Sequence, residues 1–335
     1  MKKTILFATS AAAMVGMALV SMSAGATQLS GAAQSYSGDR LEIENFVGRI
    51  EIRTGSSDTI SVAMTNAGGH VADPSVSDSG SMVRIDGGLS LRRTNCNTRN
   101  NTMTIGLNRG ERHNIDEYPS LVITAPASLA LELSDSAFVG SAGDLRTVDI
   151  NMSSCGRFQL GNIDEDARVR ISGSGDINTG MIGGEAAISI NGSGDVTTRD
   201  IARNADVSIN GSGDVITGNV GGDADVNING SGDVEFGRIA GLSVGVSGSG
   251  DVEAESMNGA FHSRISGSGN IDVHGGRAQP FEVSISGSGD IAFGGTAVDL
   301  VVRENGGGDV SISEIEGSVH WTRNGRTVMR VGDVH

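Results

Sequence analysis

Along the middle of the chain, apolar and polar positions alternate in short runs. V-S-I-N at 207–210 is followed by D-V-I-T at 214–217 and a lone Val220, and the next round brings Val226, Ile228, Val234, Phe236 and Ile239 in the same places. A period of two predicts strands with one buried face, and the single apolar residue that follows, as at Ile182, Ile201 or Met257, predicts a third, shorter side. The marker Asp of each round falls at 176, 195, 214, 233 and 251, then as Asn270, Asp290 and Asp309, spaced by 18 to 20 residues. A fixed period of this length predicts a solenoid in which one repeat is one coil.

The apolar offsets persist where the motif letters decay. Ile150, Met152, Phe158, Leu160 and Ile163 occupy all five inward places around Arg157, and Leu131, Leu133 and Val139 occupy three around Phe138. Ten coils are thus expected over 129–317. One coil buries too few side chains to offset its own ordering, so stacking must supply the rest. Parallel strands cross over right-handedly in nearly all cases, so the predicted fold is all-β, a right-handed parallel β-helix. It requires Ile190, Ile209 and Ile228 to share one column.

Residues 27–128 read as an N-terminal β region. Leu41 and Ile43, Ile50 and Ile52, and Ile60, Val62 and Met64 mark three strands of a first, irregular coil. A hairpin is expected around SMVRIDGGLSLRR at 81–93, and the Asn- and Arg-rich stretch after it is expected to loop outward. Residues 318–335, with Trp321, Arg323, Arg326 and Arg330, read as a charged cap on the last edge, and Glu304 falls on an inward offset just before it.

The corner letters have mechanical readings. The glycines of GSGD allow positive φ in a turn too tight for a Cβ. Asn191, Asn210 and Asn229 share one corner where side-chain amides stack, and the intervening serines are placed to bond the turn backbone. The Asp column is a stack of like charges, and two accounts of what offsets them stay open. One is solvent with turn N–H groups; the other is Ca²⁺ between successive carboxylates, with Asp195, Asp214 and Asp233 as ligands.

Compartment follows from the N-terminus. MKK, an apolar run to about Val20 and Ala24-Gly25-Ala26 read as a secretory signal over 1–26. The chain beyond it has 22 basic residues, all Arg, against 40 acidic ones. That balance argues against nucleic acid or anionic lipid as a partner, and no later segment is apolar enough to span a membrane. Cys96 and Cys155 admit one intramolecular pairing, and a disulfide or two thiols remain open.

The L-x-I-x-N-F-V-G-R-I-E-I-R-T-G of 41–55, YPSLVITAPASLALELSDSAF at 118–138 and the recurrent SGSGDI and NGSGDV resemble the bacterial head GIN domain family of auto-transporter adhesins. The resemblance implies a secreted or envelope-associated β-helix concerned with attachment, and assigns no binding residues. Nothing in the chain resembles a membrane barrel, and it closes on GDVH, so export without self-translocation is expected.

Other chemistry is thin. His70, His113, His262, His274, His320 and His335 follow no HExxH or HxH spacing and read as solvated or capping residues. Parallel β-helices also host polysaccharide lyases and hydrolases, whose sites need convergent carboxylates or a Ca²⁺ and Arg constellation in a cleft. The outward offsets are mostly small and polar, as at Ser189, Ser208, Asn227 and Ser284, with Arg170 and Arg264 five coils apart. The expectation is a non-enzymatic exported protein that engages a surface polymer or protein, with a lyase or hydrolase as the alternative.

Overall fold

Ile171, Ile190, Ile209 and Ile228 pair in register, each with the equivalent residue of the next coil. The column demanded by the nineteen-residue cadence is thus present in the computed structural model, which describes residues 27–28, 31, 33–99 and 102–331. The chain is a parallel β-solenoid of about ten turns with an irregular N-terminal β region. The signal-like segment 1–26 and the closing GDVH lie outside the described residues.

Each turn has three sides. The first is a strand such as Ala186–Gly192 or Ala205–Gly211, paired in parallel with its equivalents above and below. After the G-S-G-D corner comes the second side, as short as Val196–Thr197 or Val215–Ile216. The third is one bridged residue per coil, running Leu145, Ile163, Ile182, Ile201, Val220. Every position that alternation assigned to the interior of the coils around Asp214 and Asp233 is buried. The polar member, Thr217, is satisfied locally: its hydroxyl donates to the Gly218 carbonyl at 3.1 Å, as those of Thr179 and Thr198 do to their own next residues. Toward the C-terminal end the sides merge into long bent strands, Val252–Ile265, Gly276–Ile285 and Ile291–Glu304, packed around Phe261, Phe281 and Phe293.

One inward assignment is corrected. The coil that starts at Leu131 is shorter than nineteen residues: Leu131 pairs with Val148 and Leu133 with Ile150, while Val139 pairs with Arg157. A register shift between Leu133 and Ser136 absorbs the difference. Phe138 therefore enters the core, edge to face with Phe158 at 5.0 Å, and Val139 is only half-buried.

The N-terminal region continues the same ladder. Arg40–Glu44 lies parallel beneath Ala130–Ser134, and Val47–Ile52 beneath Ala137–Ala142, so these residues form a coil. Beyond it parallel and antiparallel pairs mix. Ser120–Pro126 is clasped between the two halves of Val47–Thr65, and Met82–Asp86 pairs with both Arg40–Glu44 and Ser75–Asp78. The hairpin thus turns at 79–81, at the start of the expected segment, and its second strand sets Val83 and Ile85 beside Leu41 and Ile43.

At the other end, Val319–Arg323 adds a last rung on Leu300–Glu304, and Arg326–Val331 folds back antiparallel over it. Glu304 is buried at its inward offset and accepts from the Arg323 guanidinium, which also reaches Asp309 at 3.0 Å. An inward charge held by the final strand disfavours another rung.

Candidate functional site

The two glycines of the G-S-G-D corner answer different demands: the first takes a positive φ, as at Gly173, Gly192 and Gly211, and the second is set by stacking. A Cβ on Gly213, whose φ is not left-handed, would stand 2.1 Å from the Gly194 carbonyl oxygen one coil earlier. Successive coils therefore touch backbone to backbone, and the next residue can reach across. Asp214, Asp233 and Asp251 donate their backbone N–H groups to Oδ1 of Asp195, Asp214 and Asp233 at 3.0, 2.9 and 2.8 Å. The amide stack at the same corner is seen between Asn229 and Asn210 at 3.2 Å.

The other two corners carry the same device, which sequence reasoning missed. Before the third side, Asn219 donates its N–H to Asp200 at 2.8 Å and Arg238 to Asn219 at 3.0 Å. Before the first side, Glu185 donates to Asp166, Asp223 to Asn204 and Gly241 to Asp223 at 2.9, 3.0 and 2.9 Å. Each corner thus stacks Asp and Asn side chains as acceptors for the coil above.

That last corner is also a groove of about 650 Å³ running along the solenoid. Its floor is Ala167, Ala186, Ala205 and Ala224, paired coil to coil and succeeded in the same column by Leu242 and Phe261. One wall carries Asp166, Glu185, Asn204 and Asp223; the other carries Arg168, Ala187, Asp206 and Asp225. Small floor residues draw the surface inward over four coils, and the groove runs on past Leu242 to Ala260 and His262. The signal was in the sequence: Ala recurs nine positions before the marker Asp in four successive coils.

A second feature is the outward stretch, which is structured. Asn95–Arg99, Thr102–Gly106 and Arg112–Asn114 form a separate antiparallel sheet. Its own small core of Met103, Ile105, Ile115 and Tyr118 packs on Val47, Ala137 and Cys155. Cys96 is joined to Cys155 by a disulfide, at the corner where the GSG ladder begins: Ser174 donates its N–H to the carbonyl of Ser154, next to Cys155.

Beside this sheet the fold brings together residues that sequence spacing had left scattered. The rings of His70 and His113 stack with centroids 3.8 Å apart. Glu117 Oε2 lies 2.9 Å from His70 Nε2 and 3.5 Å from His113 Nδ1. Glu117 is set by a capping box: its Oε1 accepts the Asn114 N–H at 3.1 Å, and that bond, with the His70 contact, holds its carboxyl below the usual range. The loop bearing His70 is latched by Asn66, whose amide donates to Val71 O and Asp73 Oδ1. It passes so near Glu117 that a Cβ on Gly68 would stand 2.1 Å from the Glu117 carbonyl oxygen.

Asp195, Asp214 and Asp233 lie on an exposed corner, and each gives one carboxylate oxygen to the next coil's N–H. Among the described residues, the group of three or more metal-ligating side chains that converges on one point is His70, His113 and Glu117.

A protein-family model described as "Putative auto-transporter adhesin, head GIN domain" matches residues 76–238 and 238–320. The chain belongs to that family. The matched segments of this head GIN domain take in the disulfide-linked sheet, the groove and most of the corner ladders. No curated protein and no solved structure matches the chain. No helix among the described residues is long and apolar enough to cross a membrane.

Proposed function

We propose that this head GIN domain is an exported, non-enzymatic surface-interaction protein that holds an extended surface polymer or protein along its acidic groove. The observation that carries the reading is the groove's repetition: its floor and walls present equivalent positions at every coil, spaced by about 4.8 Å, the distance between paired strands. An extended partner meets such a surface with many small contacts, and a chain of contacts tolerates the loss of any one. The walls carry five carboxylates, Asp166, Glu185, Asp206, Asp223 and Asp225, against Arg168, so partners bearing amines or guanidinium groups are favoured.

Tag-free protein titrated onto cells and isolated surface polymers tests this. Saturable binding without turnover, weakened at least about tenfold in D206R/D225R, is expected, since each reversal replaces attraction by repulsion. Equal binding by wild type and variant would overturn the reading. Appearance of new reducing ends in the polymer would instead establish a lyase or hydrolase.

A further inference from the structure

We infer that His70, His113 and Glu117 form a binding site for one divalent transition-metal ion of the Zn²⁺ class, clamping the loop at 66–73 to the disulfide-linked sheet. Two imidazole nitrogens and one carboxylate oxygen, all within 4.8 Å of one another, make up the donor set. Ligand atoms around tetrahedral Zn²⁺ stand about 3.3 Å apart, given bonds of about 2.0 Å. The contacts of Glu117 Oε2 to His70 Nε2 and His113 Nδ1, at 2.9 and 3.5 Å, already match that spacing.

The donor types select the metal. Imidazole with a single carboxylate suits borderline ions such as Zn²⁺, whereas Ca²⁺ and Mg²⁺ call for oxygen alone. Three protein ligands leave a fourth position open, and His70 is exposed, so the site is reachable from solvent. The supporting contacts are those a metal site needs. Asn114 N–H fixes Glu117 through the oxygen not turned to the histidines, and Asn66 fixes the loop that presents His70.

A metal there joins two segments: the 66–73 loop and the continuous stretch of the strand Arg112–Asn114 and the turn Ile115–Glu117. The inference is independent of the groove and of what binds there. Isothermal titration of Zn²⁺ into the tag-free full chain is expected to saturate at one equivalent, with H70A, H113A and E117Q each weakening binding at least about tenfold and H262A leaving it unchanged. Co²⁺ substitution is expected to give the intense visible bands of a four-coordinate nitrogen and oxygen site. Equal Zn²⁺ binding by wild type and H70A would overturn the assignment, as would a wild-type chain with no saturable equivalent. Because His70 is exposed on a loop, H70A keeps the test valid if the other variants fail to fold.

Discussion

Asp214 donates its backbone N–H to Oδ1 of Asp195 at 3.0 Å, and its own carboxylate accepts from Asp233 at 2.9 Å. Stacked unit charges about 4.8 Å apart repel by about 0.9 kcal/mol in water, while a hydrogen bond to a charged acceptor contributes about 1.5–3 kcal/mol. Accepting therefore outweighs repulsion. Asn270 does the same work uncharged, receiving the Asp290 N–H at 3.0 Å. D214N is expected to change the unfolding free energy by less than about 0.5 kcal/mol, and D214A to cost about 1–2 kcal/mol. Urea unfolding followed by circular dichroism compares them, and equal losses would remove the acceptor role.

Gly213 and Gly307 separate crowding from corner geometry. A Cβ on Gly213 meets the Gly194 carbonyl oxygen at 2.1 Å, but on Gly307 its nearest neighbour is Ser288 Oγ at 3.7 Å. Gly307 also stands where other coils carry the serine of GSG. G213A is expected to lose about 1–3 kcal/mol as the coils part, and G307A to melt with the wild type. A harmless G213A would show that rung-to-rung approach is not what demands glycine.

What the sequence made legible is what burial dictates column by column. Ile190, Ile209 and Ile228 had to share a column because a strand has two faces and only one is dry. The misplacement of Val139 has a local cause, since a register shift between Leu133 and Ser136 changes the count without changing the pattern. For the glycines the corner pointed to positive φ, and the first of the motif has it at Gly173, Gly192 and Gly211, while at Gly213 the requirement comes from a neighbour nineteen residues away. The groove was readable as recurring alanine at a fixed offset. The meeting of His70, His113 and Glu117 was not, because it depends on how an aperiodic sheet packs against a loop, and no spacing rule reaches across those 43 to 47 residues.

Cys96 and Cys155, 59 residues apart, tie the small sheet to the solenoid. Closing a loop of that size contributes about 2–4 kcal/mol; the solenoid strands inside the loop, Ala130–Ala142 and Thr147–Met152, are also held by their ladders to the coils on either side, whereas the small sheet pairs within itself. Reduction or C96S/C155S is expected to open residues 88–118 to proteolysis while the far-ultraviolet signal of the solenoid persists. Mass mapping of early fragments checks this, and cleavage spread through 160–300 would contradict it.

Asp299 makes the C-terminal rung sensitive to acid. Its Oδ1 accepts the Ser318 N–H at 3.2 Å and the Ser318 hydroxyl at 3.1 Å, and these bonds hold its carboxyl below the usual Asp value. The ionised form is the stronger acceptor, so folding favours loss of the proton. The stabilisation is complete above the ordinary Asp pKa and is lost as the pH falls through the depressed native value. Asp299 is exposed, so the effect is confined to its own rung. Hydrogen exchange at 318–323 is therefore expected to accelerate on acidification through that window, before exchange in the central coils rises. In D299N the acceptor oxygen remains but no longer titrates, so the acceleration should vanish. If D299N and wild type fray alike as the pH falls, another group governs the end of the ladder.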